Sequence, residues 1–292
     1  MIMKEDIMMK FKDNGLADGF LTEDDLRKKC PCAFMTEPSN PDVSTLYVPA
    51  NTKTVIDDMA KLGWYPVDAK QQRQRGAMKY SFHMVVFQNP DVVVRNLEGG
   101  VDCWPRIILT NSHDGMHAFK FMVGLYRVVC SNGLVIASDQ FADLSIRHIA
   151  YTFQELRDLT AGVIAQLPKQ IELINEMKRV ILTKKQKIDF ASAAFKIRRG
   201  IKADVPFMLP FDVAEEIIEP VRSEDHGDDL WTVYNILQEK MTRGGFKASA
   251  DPAKKPRKVR AITAVAKDLD MNRKLFRYAA GYITESKGAD NQ

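Results

Sequence analysis

Cysteine and long apolar runs are both scarce in this chain. Four cysteines in 292 residues do not make a disulfide framework, so we expect free thiols. No stretch approaches the roughly 20 apolar residues of a membrane span, and charges at Lys4, Glu5 and Asp6 argue against a signal peptide. These features predict a cytoplasmic protein with no membrane association.

Motifs for known catalytic and cofactor chemistry are also missing. The chain has no phosphate-binding loop, dinucleotide fingerprint, nucleophile elbow or HExxH helix. Cys30 and Cys32 have the spacing of half a zinc site, but no second Cys/His pair follows at a suitable distance. We therefore expect no cofactor and no metal, and we favour a binding protein over an enzyme.

The overall composition is that of a globular protein. Hydrophobic residues make up 45% and charged residues 27%, and the length suffices for one large domain or two modest ones. A net charge of +4 is too small to indicate a nucleic-acid-binding protein by itself, so the distribution of the charges matters more.

Hydrophobic periodicity indicates the fold class. Short β-prone runs with brief connections occupy residues 79–88, 92–94, 105–110, 116–130 and 134–137. Asn132-Gly133 between the last two is a strong hairpin signal. Beyond residue 152 the apolar residues recur at helical spacing. The sequence predicts an α+β fold: a central, mostly antiparallel sheet of four or more strands followed by long helices, with a helical C-terminal part.

Changes in pattern divide the chain into five predicted regions. They are a flexible N-terminal segment (1–21), a sheet core with flanking helices (22–150), a helical region (151–245), a basic flexible loop (246–260) and a C-terminal helix (261–286).

The polar stretch at residues 111–115 allows two interpretations. His113 and Asp114 are an imidazole and a carboxylate, the parts of acid–base chemistry, and could belong to a nuclease-like enzyme. Residues of these types also form turns, because their side chains bond nearby backbone groups. We favour the structural interpretation and keep His113 and Asp114 as reserve catalytic candidates. The structural motif then comprises Asn111, Ser112, Gly115, Tyr126, Asn132 and Gly133.

Several stretches resemble a family of phage/plasmid-like proteins that carry a domain of unknown function. The most specific are LTNSHDG (109–115), GLYRVVCSNGL (124–134) and His148. Further matching stretches are residues 26–34, 47–52, 63–67, 71–75, 230–245, 260–262 and 272–276. Met116 and Tyr126 depart mildly from the family's serine and phenylalanine. The resemblance implies a phage or mobile-element source, and so the cytoplasm of a bacterial host, but it transfers no established biochemistry.

Basic residues cluster late in the chain. Residues 254–260 contain five basic side chains in seven positions and no acid, a composition typical of polyanion binding. Arg127, within an apolar strand, needs a partner, which is either a nucleic acid, through phosphate contact or base stacking, or a cross-strand carboxylate. The predicted nucleic-acid-binding residues are Arg127, Lys184, Lys185, Lys187, Arg198, Arg199, Arg243, Lys254, Lys255, Arg257, Lys258 and Arg260.

These observations favour a DNA-binding protein of phage or mobile-element DNA metabolism, with single-stranded DNA as the preferred partner. Its closest functional analogues would be the single-strand annealing proteins of recombination, which assemble as homo-oligomers and need no cofactor. One alternative is an anti-defence protein that binds and inhibits a host restriction or nuclease component. A second alternative is the nuclease-like enzyme using His113 and Asp114.

Overall fold

A computed structural model describes residues 4–13, 19–35, 51–72, 80–95, 101–113, 119–127, 152–221, 225–251 and 253–289. The chain divides into two compact units. Unit 1 comprises residues 1–131 and 137–167, and unit 2 comprises residues 132–136 and 168–292.

An antiparallel sheet forms the centre of unit 1. Its strands are β1 (Tyr65–Gln71), β2 (His83–Gln88), β3 (Val94–Arg95), β4 (Val101–Asn111) and β5 (Lys120–Arg127). β4 is central: β2 pairs along one edge and β5 along the other, while β1 extends the sheet beyond β2 and β3 pairs with the start of β4. Every pair is antiparallel, so the predicted sheet of four or more strands is confirmed.

Alternation along the strands builds the core of unit 1. Odd-numbered residues such as Val85 and Ile107 are fully buried in one apolar cluster, because successive side chains of a strand point to opposite faces. Three short helices contribute to this cluster. They are α2 (Glu23–Lys29), a 3-10 helix (Pro31–Phe34) and α3 (Thr52–Lys61).

The N-terminal segment, which the sequence predicts to be flexible, contains a helix among its described residues. Residues Lys4–Asp13 form the helix α1. Phe11 on this helix is fully buried, with its ring centroid 6.1 Å from that of Phe20 and 6.2 Å from that of Tyr65. The segment is therefore attached to β1 by aromatic packing, because burying a ring this completely gives a large hydrophobic gain.

Long helices follow the sheet, as predicted. α4 (Phe153–Arg179) contributes its residues to Leu167 to unit 1 and the remainder to unit 2. The other helices lie in unit 2: α5 (Lys184–Arg199), α6 (Phe211–Ile218), α7 (Leu230–Arg243) and α8 (Val265–Ala289). None of the helices in the described ranges is long and apolar enough to cross a membrane.

Local sequence sets the ends of α5 and α7. A capping box of Thr183 and Gln186 starts α5, and Gly200 ends it in the left-handed conformation that glycine tolerates. The Asp229 carboxylate accepts a hydrogen bond from the Thr232 amide and so caps α7. Almost every residue of α7 is buried, which makes this helix the central element of unit 2.

A small hairpin occupies the region predicted as a flexible basic loop. β6 (Lys247–Ala248) pairs with β7 (Arg257–Lys258) in antiparallel register. The Val259 amide donates to the Phe246 carbonyl at 2.8 Å, and both of these side chains are buried. Contact between Phe246 and Val259, which lies within the basic run, therefore holds the run in a defined position.

Candidate nucleic-acid interface

Unit 2 contains a basic groove of about 740 Å³. We call it the basic groove and define it by its basic lining residues, which are Arg198, Arg199, Arg257, Lys258, Arg260 and Lys267. None of its described lining residues is acidic. A concave surface lined by charges of one sign concentrates the electrostatic field and attracts ligands of the opposite charge.

Three elements supply these side chains. The end of α5 supplies Arg198 and Arg199, the start of α8 supplies Lys267, and the hairpin strand β7 with its following residues supplies the remainder. Along this last segment Val259 points into the core, whereas Lys258 and Arg260 are exposed. The alternation of an extended chain therefore turns both cations away from the core.

Gly244 allows the hairpin to return close to the end of α7. Its φ is +68°, a region that residues with a side chain rarely adopt. A Cβ atom at this position would lie 2.3 Å from the Val259 carbonyl oxygen. The neighbouring Gly245 amide donates to that same oxygen at 2.8 Å. Glycine at 244 thus keeps the basic strand against the end of the helix.

Arg198 is a structural member of the basic groove. Its side chain is only 7% exposed, and its guanidinium donates hydrogen bonds to the carbonyl oxygens of Met241 and Arg260. Carbonyls in the last turn of a helix lack helical partners, so Arg198 satisfies one at the end of α7. Burial lowers the pKa of Arg198, and the nearby Arg199 lowers it further. Arg198, which the sequence predicted to contact nucleic acid, therefore connects the end of α5 to the end of α7 and to the segment after β7 by hydrogen bonds.

The other five cations of the basic groove are exposed. They are Arg199, Arg257, Lys258, Arg260 and Lys267. Across the described residues, no acidic side chain lies within ion-pair distance of any of them. Their charge is therefore available to a ligand.

Other predicted binding residues already have acidic partners. Lys184 contacts Glu215 at 2.5 Å, Lys187 contacts Asp228 at 2.6 Å, Arg243 contacts Glu239 at 2.9 Å and Lys254 contacts Asp251 at 3.1 Å. Lys185 and Lys255 are exposed and do not line the basic groove. Arg127 belongs to β5 in unit 1, and its side chain and that of Tyr126 lie outside the described residues.

His113, the reserve catalytic residue, belongs to a buried polar cluster in unit 1. We define this cluster as Thr52, His83, Asn111 and His113, all of which are at most 2% exposed. The Asn111 amide donates to Thr52 Oγ1 at 3.0 Å, and Thr52 Oγ1 lies 2.9 Å from His83 Nε2. His83 Nδ1 lies 3.0 Å from the Ser81 carbonyl oxygen.

The carbonyl partners in the polar cluster identify two hydrogen-bond donors. Because a carbonyl oxygen only accepts, His83 Nδ1 donates to Ser81, while His83 Nε2 shares a hydrogen bond with the Thr52 hydroxyl. By the same reasoning His113 Nε2 donates to the Cys32 carbonyl at 3.1 Å. The His113 side chain is therefore engaged inside the core, which favours a structural role over catalysis. Its proposed partner Asp114 lies outside the described residues.

The remaining members of the predicted structural motif are only partly described. The Ser112 amide donates to Asn111 Oδ1 at 2.9 Å, a short-range bond of the kind that turns use. Gly115, Asn132 and Gly133 lie outside the described residues, as does the predicted strand at 134–137.

The two cysteines next to the polar cluster are buried thiols. Cys30 Sγ and Cys32 Sγ lie 3.7 Å apart, and the hydrogen bond between them, with burial, raises the pKa of Cys32. The thiol form is therefore favoured over the thiolate, the reactive species. Within the described ranges, no group of three or more His, Cys, Asp or Glu side chains could hold a metal ion.

Sequence reasoning missed Lys267 and did not identify the structural role of Arg198. Lys267 is a single basic residue followed by Asp268, so no local cluster marks it. The only signal is its position near the start of the predicted C-terminal helix, seven residues after the basic run ends at Arg260.

Comparison with known proteins finds relatives but no assigned chemistry. The family described as "Domain of unknown function (DUF932)" matches residues 42–276. The UPF0380 protein YafZ of Escherichia coli K12 is 28% identical over 268 residues, covering 91% of this chain and 92% of YafZ. The UPF0380 protein YfjQ of the same organism is 27% identical over 268 residues, with the same coverage. No solved structure matches the chain.

Proposed function

This chain belongs to the DUF932 family, and we propose that it binds nucleic acid through the basic groove, with single-stranded DNA as its preferred ligand. The observation that carries the proposal is the convergence of two separate basic segments, one at the end of α5 and one at 257–260, on a groove without an acidic lining residue. Phosphate contacts of this kind supply most of the affinity of nucleic-acid binding that does not depend on sequence.

The balance of charge in the chain supports this choice of ligand. The chain carries a net charge of only +4, yet five cations of the basic groove are exposed and have no acidic partner among the described residues. Holding like charges together in this way is unfavourable in the free protein because they repel one another. A polyanion removes that repulsion and releases its own condensed counterions, which favours binding.

The wider role that we propose is strand annealing in the DNA metabolism of a phage or other mobile element. A groove that holds a strand by its phosphates leaves the base edges free to pair with a complementary strand. Such a role needs no catalytic residue and no cofactor. It predicts faster annealing of complementary oligonucleotides in the presence of the protein, with assembly of the protein into oligomers on the strand.

The direct test is charge reversal in the basic groove. In the variant R257E/K258E, affinity for a fluorescent single-stranded oligonucleotide should fall at least tenfold, because two phosphate contacts become repulsive. For single strands, log Kobs falls with log[salt] by about 0.7 for each phosphate neutralised, so the slope should become shallower by about 1.4. Fluorescence anisotropy over a salt series measures both quantities.

The matched control is K169E/R179E, which changes the net charge by the same amount. Lys169 and Arg179 are exposed residues of unit 2 that do not line the basic groove and are not among the predicted binding residues. We expect this control to retain its affinity within about twofold, since screening limits the effect of distant charges. Equal losses in the two variants would show that net charge alone drives binding and would overturn the assignment to the basic groove.

One observation favours the alternative function, binding to a host protein as an anti-defence factor. Unit 2 exposes large apolar side chains on and after α6, with Phe211 56% and Val221 63% exposed. Exposed apolar groups are more typical of protein-binding surfaces than of phosphate-binding ones. If the full chain binds neither single- nor double-stranded DNA at low salt, this alternative replaces the nucleic-acid proposal.

A further inference from the structure

A second cavity of about 740 Å³ in unit 2 differs in character from the basic groove. Its lining includes the aromatic residues Phe207 and Tyr278 and the apolar residues Ile197 and Met208. Its charged lining residues are mostly basic, with one acidic residue: Lys196, Lys202, Lys274, Arg277 and Asp189. Its size falls within the range of cavities that hold small organic ligands. We call it the aromatic cavity.

We propose that the aromatic cavity receives an unpaired nucleobase of the strand whose phosphates occupy the basic groove. The inference rests on the proposed function and deepens it, because it explains why a single strand would be preferred. A base can enter such a cavity only when it is not paired and not stacked within a duplex.

The end of α5 separates the two cavities. Arg198 and Arg199 line the basic groove, whereas Ile197 and Gly200 line the aromatic cavity. A chain of contacts also connects them. The Arg199 guanidinium lies 5.9 Å from the centroid of the Phe195 ring. The Phe195 ring in turn stacks on Phe207 with the centroids 5.7 Å apart.

Helix α8 contributes to both cavities along one face. Lys267 lines the basic groove, and Lys274 and Tyr278 line the aromatic cavity. Residues 267 and 274 are seven positions apart, which is close to two helical turns and about 10 Å along the axis. Their side chains therefore lie on the same side of the helix, and a flexible strand of a few nucleotides spans this distance.

The side chains of the aromatic cavity suit a base better than a purely apolar ligand. Tyr278 is 40% exposed and Met208 is 59% exposed, so both offer contact area to a flat ring. Base stacking on such surfaces tolerates any sequence, because every base has a π face. Lys202 is exposed, and no described acidic residue pairs with it, so it can contact the phosphate of the bound nucleotide.

The wall of the aromatic cavity is held in place before any ligand binds. The Lys196 ammonium donates to the Ala203 carbonyl at 3.0 Å and to the Val205 carbonyl at 2.6 Å, which fixes the loop after α5. The Leu209 amide donates to Ser192 Oγ at 3.1 Å and fixes the far end of this loop. A preformed cavity reduces the ordering cost of binding.

The test compares two ligands with the same backbone charge, an oligo(dT) strand and an abasic deoxyribose-phosphate strand of equal length. The Tyr278→Ala variant should lose about tenfold in affinity for oligo(dT) and retain its affinity for the abasic strand. Tyr278→Phe keeps the ring and should bind oligo(dT) like the parent chain. Phe211→Ala removes an exposed aromatic residue outside the cavity and serves as the matched control.

The outcomes separate this inference from the proposed function. If Tyr278→Ala binds oligo(dT) as tightly as the parent chain, or loses affinity for both ligands equally, the base-binding inference is overturned. The proposed function still stands in that case, provided that R257E/K258E weakens binding of both ligands. A change of oligomeric state in Tyr278→Ala, measured by light scattering without nucleic acid, would assign the aromatic cavity to a second copy of this chain instead.

Discussion

The polar cluster of unit 1 and the basic groove of unit 2 are built from similar nitrogen-rich side chains but satisfy them in opposite ways. In the polar cluster, Asn111, Thr52 and His83 form a chain of hydrogen bonds that ends on the Ser81 carbonyl. In the basic groove, Arg257 and Lys258 are exposed and, among the described residues, have no acidic partner.

This difference separates stability from binding. A buried polar group must find its partners within the protein, because leaving it unpaired in the core is costly. An exposed cation is satisfied by water and can exchange that water for a phosphate. The polar cluster therefore should matter for folding, and the exposed cations should matter for ligands.

Arg198 gives the most sensitive test of this division between folding and binding residues. It lines the basic groove, but its hydrogen-bond partners lie within the protein, as they do in the polar cluster. Arg198→Ala removes two charge-assisted hydrogen bonds and leaves the Met241 and Arg260 carbonyls without this donor. We expect the free energy of unfolding to fall by about 3 kcal/mol. Urea denaturation followed by circular dichroism measures it.

The neighbouring residue is the natural control. Arg199 is exposed and donates no comparable bonds, so Arg199→Ala should change stability by less than about 0.5 kcal/mol. It should instead reduce the salt slope of single-strand binding by about 0.7, the value for one lost phosphate contact. If Arg199→Ala destabilised the fold as much as Arg198→Ala, the division between structural and binding cations would fail.

Thr52→Val tests the polar cluster with a substitution of almost the same shape. It removes the hydroxyl and leaves the Asn111 amide and His83 Nε2 without this partner. We expect a loss of about 2 kcal/mol in stability, with unchanged affinity for single-stranded DNA. Reduced binding by a folded Thr52→Val protein would connect the polar cluster to function and revive interest in His113.

Much of the sheet could be predicted from the sequence because its signal is local. Alternating apolar residues identified β2, for which residues 79–88 were predicted and His83–Gln88 are observed. A continuous apolar run identified β4, for which residues 105–110 were predicted and Val101–Asn111 are observed. Hydrophobic periodicity and turn-forming residues are signals that extend over only a few positions, so these strands can be predicted without knowledge of distant contacts.

The candidate site was less predictable because it depends on packing between distant segments. The basic residues at 198–199 and 257–260 were identified separately, but their meeting depends on how α5 packs beside the end of α7. Local sequence also cannot distinguish a buried arginine from an exposed one, as Arg198 and Arg199 show. His113 was ambiguous for a similar reason, since its polar neighbours are equally compatible with a turn over the core and with an exposed site.

The smallest effect that we predict is on the stability of the fold and its pH dependence, and it involves Asp251 in the connection between β6 and β7. Hydrogen bonds from the Ala253 amide and from Lys254 hold the pKa of Asp251 below its ordinary value of 3.8. A carboxylate with a lowered folded-state pKa stabilises the fold above the unfolded value and loses that contribution as the pH falls through the folded value. Asp251→Asn should therefore be slightly less stable than the parent chain at pH 7, and the difference should shrink below about pH 4.

The salt dependence of stability should differ between Asp251→Asn in unit 2 and Thr52→Val in unit 1. Asp251 and Lys254 are largely exposed, so salt should screen their attraction and reduce the effect of Asp251→Asn. The Thr52→Val effect arises from hydrogen bonds that are buried in unit 1, where salt screens little, and should be nearly the same at low and high salt. Thermal denaturation of both variants at two salt concentrations measures this. A salt-dependent Thr52→Val effect would show that an ionised group takes part in the hydrogen bonds of the polar cluster.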